Sequence, residues 1–313
     1  MKMSGIKAKK LVSSVIWGIV RYGFLIASCY LLLYPFLYMI SGSFRAAIDF
    51  HDPTVNWIPK HISTENLAVA WRAMDYGRSL LHTLLDGMIP ALLQFCVSAV
   101  AAYGMARFRF KGRSVFTVLM FLNLLVPAVM IIIPMYTKLY HFDVFGILGL
   151  LSKITGQELR PNLLDSPFAF WLPAALGVGL KGGLFIYIFT QFFKGLPREL
   201  EEAAWLDGAG PYRTFMKIIV PSSGSAAITV LPFAVIWNWS DYLLPEMFLT
   251  DNYPLSVMLE RMPKIVEYEA GTESQAGVLL ASCLLFLIPV ILFYLLIQKR
   301  FTASIVTSGI TGT

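Results

Sequence analysis

The sequence predicts an all-α integral membrane protein with six transmembrane helices and both termini on the cytoplasmic side, and three observations carry that prediction. Hydrophobic residues make up 57% of the 313 residues and charged residues only 14%, whereas soluble domains are roughly a quarter charged. Six runs fit the template of roughly 20 mainly apolar residues that a bilayer-crossing helix requires: residues 22–43, 80–106, 115–137, 168–193, 222–245 and 276–297. Lys and Arg also alternate in density between loops. The N-terminus, the segments 107–113 and 194–217 and the tail hold 15 basic residues against 4 acidic, and the other three loops hold 9 against 13. Short basic loops stay in the cytoplasm, which places both termini inside and makes the net charge of +6 a topology signal. It is not the footprint of a nucleic-acid binder.

Taken in order, residues 1–21 form a basic, amphipathic cytoplasmic segment with Lys2, Lys7, Lys9 and Lys10. The apolar run after it is too long for a signal-peptide core, so the first helix is expected to stay uncleaved. Residues 22–297 form one membrane domain, and no polar stretch is long enough for a separate soluble domain. In the second span Ser98 and Ala102 stand four apart, as do Gly179 and Gly183 in the fourth, and such small pairs let membrane helices pack closely. Gly177 to Gly182 reads G-x-G-x-x-G, but it lies in an apolar span with no strand before it, which excludes the dinucleotide fold. Lys181, in the middle of that run, costs roughly 2.5 to 3.5 kcal/mol at a helix centre unless it meets water or an acid. Asp86 of the second span and Asp241 of the fifth are possible partners, and a solute contact is the equal alternative. Cys29, Cys96 and Cys283 lie in apolar runs without paired spacing and read as buried free thiols, while His51, His61, His82 and His141 are too scattered for a metal site. The outer loops 44–79, 138–167 and 246–275 mix aromatic anchors such as Trp57, Trp71, Tyr140 and Phe142 with charge. Their size argues for contact with an external partner.

The segment 194–221 has its own grammar. Pro197 fits the first turn of a helix starting near residue 196, and Glu199, Glu201 and Glu202 suit the positive end of its dipole. Gly208 and Gly210 flank Ala209 and lead into Pro211, which starts a second helix expected to stop at Pro221. Leu200, Ala203 and Ala204 fall on one face of the first helix, where the alanines let a partner approach its backbone.

At these residues the chain resembles a known family, the inner-membrane permease subunits of binding-protein-dependent ABC importers, and within it the carbohydrate group like the maltose permease. The family signature is Glu-Ala-Ala, three residues, Gly, nine residues, Ile, one residue, Leu-Pro. Glu202, Ala203, Ala204, Gly208, Ile218 and Pro221 match it at that spacing, with Val220 in place of the leucine. The approach Phe192 to Leu200, the pair Ala102-Tyr103, the segment Ala106 to Arg113, Pro127 with Pro134, and Trp237-Asn238 with Asp241 extend the similarity over most of the chain.

The resemblance implies the ABC type I importer permease fold, with a docking loop at 194–221 whose Glu202, Ala203, Ala204, Asp207, Gly208 and Pro221 couple the spans to a separate ATP-binding subunit dimer. ATP and Mg would be used by that dimer and no cofactor would be bound by this chain, which contains no G-x-x-x-x-G-K-[ST] phosphate loop. Further implied partners are a second permease subunit of different sequence, an extracytoplasmic solute-binding protein, a sugar or oligosaccharide substrate, and the lipid bilayer of a bacterial cytoplasmic membrane. The tail 298–313 resembles a segment that enters the ATPase dimer, although Ser304 and Ser308 replace the usual glycines. By analogy Asn238 and Trp239 line the substrate pathway with Asp241, and His82 stands where the family usually has asparagine. A positive Lys181 on that pathway suits an acidic sugar through charge-assisted hydrogen bonds. The rival readings are an ion-coupled secondary transporter using Lys181, Asp86 and Asp241, an ABC permease for a non-sugar solute, and an intramembrane enzyme, for which no nucleophile and base stand at suitable spacing.

Overall fold

A computed structural model describes residues 2–179, 181–269 and 275–310, with side chains described for 14–127, 129–179, 181–267 and 275–299. Its elements are α1 (Lys2–Ser43), α2 (Ala47–Phe50), α3 (Glu65–Ala73), α4 (Tyr76–Arg107), α5 (Arg113–Leu125), α6 (Ala128–Tyr140), α7 (Ile147–Thr155), α8 (Phe168–Ala175), α9 (Gly182–Gly195), α10 (Glu199–Leu206), α11 (Pro211–Ser222), α12 (Gly224–Ser240), α13 (Leu243–Phe248), α14 (Leu255–Glu269) and α15 (Gln275–Ile310). Among the described residues the one β feature is a bridge between Arg45 and Ile62. The side chains of the N-terminal segment 1–13 and of tail residues 300–313 lie outside the description.

Among the described residues three helices are long and apolar enough to cross a membrane, α1 over Ser14–Ser43, α4, and α15 over Gln275–Lys299. Two bent pairs, α5 with α6 at 108° and α11 with α12 at 81°, raise that number to five. The predicted span 168–193 is two helices instead of one. Gly177 (φ 75°) and Lys181 (φ 57°) take left-handed backbone between α8 and α9, which ends one helix and restarts the next. Counting apolar residues is blind to such a break, because a broken span and a straight one are equally apolar.

The chain forms two compact units, Met1–Ala73 with Met262–Leu285, and Met74–Arg261 with Phe286–Thr313. In the first, the buried Asn66 amide donates to Arg45 O at 2.7 Å and reaches Gly42 O and Ser43 O at 3.4 Å. One side chain thus serves the carbonyls that the end of α1 leaves open. The Asp49 carboxylate takes the His61 backbone N–H at 2.8 Å and meets its ring Nδ1 at 2.7 Å, and these contacts hold its pKa below the usual aspartate value.

In the second unit α4 is the central helix, packed against α8, α9 and α12. Phe185, Phe189 and Phe193 recur every fourth residue on α9 and are fully buried against Ala91, Ala102 and Ala106 of α4 and Val230 and Ala234 of α12. Lipid offers no hydrophobic drive for helices to associate, so this fit of large rings onto small residues is held by dispersion and shape. Ser98 and Ala102 are both fully buried on α4, as their spacing predicts. Gly183 brings α9 onto α5, where an added Cβ would stand 2.4 Å from Met120 O. Gly179 lies in the break and abuts the Gln94 side chain instead, so the two glycines do not share a helix face.

The thiols correct the sequence reading: Cys29 and Cys96 are exposed and Cys283 is half-buried, all free. In a membrane span an apolar neighbourhood in sequence includes the outward face as well as the core.

Elsewhere in the second unit Ile132, Leu139, Ala169, Phe170, Leu244 and Phe248 form a separate apolar cluster. Asp165 ties two loops there, accepting the Thr250 N–H at 2.9 Å and its hydroxyl at 2.8 Å, and these bonds lower its pKa. A lowered carboxylate stabilises the tie fully above its unfolded value of about 3.9, and the stabilisation disappears as the pH falls through the lower folded value. The expected result is that Thr250 amide exchange, corrected for the intrinsic rate, accelerates only below about pH 4. Asp165→Asn should show the fast rate already at neutral pH. Protection unchanged from pH 6 to 2 would refute the tie.

Candidate functional site: an intramembrane cavity and an exposed loop

The cavity begins with a proline. Pro90 has no N–H to give and its ring crowds the turn before it, so α4 widens into a π-turn over Leu84–Met88, where Ile89 N–H bonds Leu84 O. The next bond of that register would come from Pro90 to Leu85 O. That carbonyl is instead taken by the Trp171 indole N–H of α8 at 2.7 Å. The widened turn carries Asp86, whose side chain is 2% exposed. One carboxylate oxygen lies 3.4 Å from His82 Nδ1, and the other is buried with no hydrogen-bond partner among the described residues.

Asp86 lines a cavity of about 70 Å³ together with Asn123, Phe170, Lys181, Asn238 and Asp241. Lys181 is therefore not at a helix centre. It is the residue before α9, exposed to the cavity, and it makes no ion pair with any described acid. Of the two readings the sequence left equal, the internal ion pair is absent from this conformation. Asp241 uses one carboxylate oxygen to accept the N–H groups of Leu243 and Leu244 at 3.1 and 3.3 Å, capping α13 while still facing the cavity. Asn238 donates to Gln94 Oε1 at 3.2 Å and to Ala234 O at 2.9 Å. Trp239 departs from its expected place. It is 3% exposed, its ring lies 6.1 Å from Phe286, and it is not part of the cavity wall. Adjacent residues on a helix point about 100° apart, and here Asn238 faces the cavity while Trp239 packs toward Phe286.

Two wall or support residues escaped the sequence reading. Gln94, fully buried, backs both Asn238 and the α8–α9 break, and Asn123 accepts the Gly183 N–H at 3.1 Å. Each is an amide inside an apolar run, which was the available signal. Chemically the cavity offers ammonium and amide donors, carboxylate acceptors and one aromatic face, a set that fits a polyhydroxylated solute. Among the described residues no group of three His, Cys, Asp or Glu could hold a metal.

The second feature is the loop 194–221. Helix α10 starts at Glu199, and Leu206 closes it. Gly208 takes φ 78°, and Ala209 N–H reaches Ala204 O at 2.9 Å while Gly208 N–H reaches Trp205 O at 3.0 Å, the pair of bonds that defines a Schellman end. Glu202, Ala203, Asp207, Gly208 and Pro221 are exposed, and Ala204 is buried. The expected shared face of Leu200, Ala203 and Ala204 is therefore split. Glu201 and Ala204, three apart, turn inward, and Leu206 at 89% exposure stands out with Leu200, Trp205 and Tyr212. Pro221 stands one residue before the end of its helix. A π-turn over Phe215–Ile219 lets α11 run through it to Ser222, repeating the device seen before Pro90.

Glu201 lies in the first turn of α10, as expected, and it is also buried: its Oε1 lies 2.9 Å from Arg107 Nε at the end of α4, with the two side chains 4% and 6% exposed. The Nε–H is not aligned for a hydrogen bond, so the contact is a Coulombic one between buried charges. The same guanidinium donates to Leu196 O at 2.9 Å.

Comparison with known proteins places these features in context. The profile of the family described as "Binding-protein-dependent transport system inner membrane component" matches residues 94–306. The chain is 28% identical over 288 residues to the diacetylchitobiose uptake system permease protein NgcG of Streptomyces coelicolor, covering 91% of this chain and 86% of that one. It is 25% identical over 283 residues to the trehalose transport system permease protein SugB of Mycobacterium tuberculosis, covering 90% and 93%. It is also 28% identical over 291 residues to the sn-glycerol-3-phosphate transport system permease protein UgpE of Yersinia pestis, covering 91% and 94%. Among solved structures, a chain of a bacterial ABC transporter involved in the import of the acidic polysaccharide alginate superposes with a TM-score of 0.71 at 22% identity, over 92% of this chain and 98% of that chain.

Proposed function

Since the chain belongs to the family of binding-protein-dependent transport system inner membrane components, we propose that it is the permease subunit of an ATP-binding-cassette importer for a sugar or oligosaccharide. The observation that carries this reading is that the family match spans both the cavity-lining residues from Asn123 onward and the loop with Glu202, Ala203, Ala204 and Gly208. Relatives named for diacetylchitobiose and trehalose support the sugar class. In this reading the chain crosses a bacterial cytoplasmic membrane six times with both termini inside, the α8–α9 pair and the α11–α12 region each contributing to a crossing. It pairs with a second, different permease chain and with two ATPase subunits that bind ATP and Mg. An extracytoplasmic binding protein delivers the solute. Closure of the ATPase dimer, transmitted at α10, switches access to the cavity.

Lys181, unpaired at the cavity, supports a solute that carries a negative group, such as a uronate-containing oligosaccharide. UgpE, named for sn-glycerol-3-phosphate, supports a phosphorylated polyol as the second reading. A hydrogen bond to a charged group contributes about 1.5 to 3 kcal/mol. Lys181→Met is thus expected to weaken uptake of the acidic solute roughly 10- to 100-fold while leaving a neutral analogue unaffected. The experiment reconstitutes the chain with its presumed partners and measures ATP hydrolysis and uptake against uronate oligosaccharides, neutral oligosaccharides and glycerol phosphate. No solute-stimulated hydrolysis, with uptake that instead follows a proton gradient, would replace this reading with an ion-coupled transporter. Equal uptake of acidic and neutral solutes by Lys181→Met and wild type would remove the acidic substrate.

A further inference from the structure

Resting on that coupling reading, we infer that the buried Arg107–Glu201 pair is the joint that makes α10 and α4 move as one body, with both residues positioning the coupling element and neither touching nucleotide or solute. Arg107 is the last residue of α4. Its guanidinium holds the chain at two points, Leu196 O just before α10 and Glu201 in its first turn, each at 2.9 Å. An exposed pair of this kind would add little. Here both side chains are nearly shut off from solvent, so parting them leaves an uncompensated buried charge on each side, which is strongly unfavourable. The pair therefore stays closed while α10 is displaced.

The surroundings brace the same joint. Tyr103, one turn before Arg107, packs 4.9 Å from Phe215 of α11 and 6.1 Å from Phe193 of α9, so four chain segments meet around the pair. The inward face of α10, Glu201 and Ala204, is used for this attachment, and its outward face, Glu202, Ala203 and Leu206, is left exposed. From Arg107 back to Ile89, α4 is regular α-helix, a rod of roughly 27 Å. It ends at the π-turn that carries Asp86 in the cavity wall. A push on the outward face of α10 thus reaches the cavity through a charge pair and a rigid helix, and the first deformable element it meets is the π-turn.

The test uses the full complex of this chain with its partner permease, ATPase and binding protein. Wild type must first show hydrolysis stimulated by loaded binding protein; its absence would count against the proposed function and leave the joint untouched. The readout is complex yield together with the ratio of ATP turnover with and without loaded binding protein. Glu201→Gln is expected to assemble and to lose that ratio about tenfold, the scale of a typical coupling free energy. Arg107→Cys with Glu201→Cys, in a chain whose Cys29, Cys96 and Cys283 are serine, should be uncoupled when reduced and regain the ratio once a short bifunctional thiol reagent joins the two positions. A wild-type ratio in Glu201→Gln or in the reduced double variant would overturn the inference. So would a verified crosslink that leaves the ratio lost, or a crosslinked chain that still fails to assemble, because the pair would then serve folding alone.

Discussion

Gly183→Val is expected to destabilise the chain by about 3 kcal/mol, at the upper end of what overpacking costs. A Cβ at this position would lie 2.4 Å from the Met120 carbonyl oxygen and 3.1 Å from Asn123 Oδ1. The first of these is backbone, so relief requires moving α9 away from α5. That movement also stretches the 3.1 Å bond from Gly183 N–H to Asn123 and loosens the Phe185, Phe189 and Phe193 face behind it. Thermal unfolding of the purified chain in detergent measures the effect. Gly104→Ala is the control: nothing lies within 4 Å of its added Cβ, and replacing a glycine inside a helix gains roughly 0.5 to 1 kcal/mol. Equal melting of Gly183→Val and wild type would mean that α9 does not approach α5 this closely.

Gly208→Val is expected to lower solute-stimulated ATP turnover of the assembled transporter by about tenfold or more, through the backbone alone. The site is open, with no atom within 4 Å of an added Cβ, so no clash is involved. The requirement is φ 78°, a left-handed conformation that costs an ordinary L-residue about 1 to 2 kcal/mol and a β-branched one more. Helix α10 has only eight residues, too few to persist without its end bonds and its packing. Losing the Schellman bonds frees the turn that presents Glu202, Ala203 and Asp207. Since Asn and Asp tolerate left-handed backbone best, Gly208→Asn should retain most coupling and Gly208→Asp less, because it sets a second carboxylate beside Asp207. A series in which Asn and Val behave alike would show that the left-handed turn is not what coupling requires.

The loop was the more legible of the two functional features because its signal is local. Proline and glycine act on their own backbone and on the turn beside them, so Gly208 and Pro211 announced a break and a second helix from sequence alone, while the first helix starts at Glu199, two residues after the Pro197 expected in its first turn. What the same residues do to a turn they can deform was not legible. Pro221 was expected to end α11, and the π-turn before it carried the helix one residue further. The cavity was legible only as a list of residues out of place in apolar runs. Lys181, Asp86 and Asp241 were found that way, whereas Asn238 and Trp239 came from the resemblance, and of these two only Asn238 lies in the cavity wall.

By itself the sequence determined the membrane class, the approximate location of the apolar helices and the helix–break–helix pattern of residues 194–221, because composition, run length and turn residues act within a few positions of themselves. The tertiary structure decided where apolar runs break, as between α8 and α9, and which glycine bears a neighbouring helix. It also decided which polar residues meet. Arg107 and Glu201 illustrate the reason: each looked like an ordinary loop charge, and only the packing of α4 against the following helices removes both from water and makes each the partner the other needs.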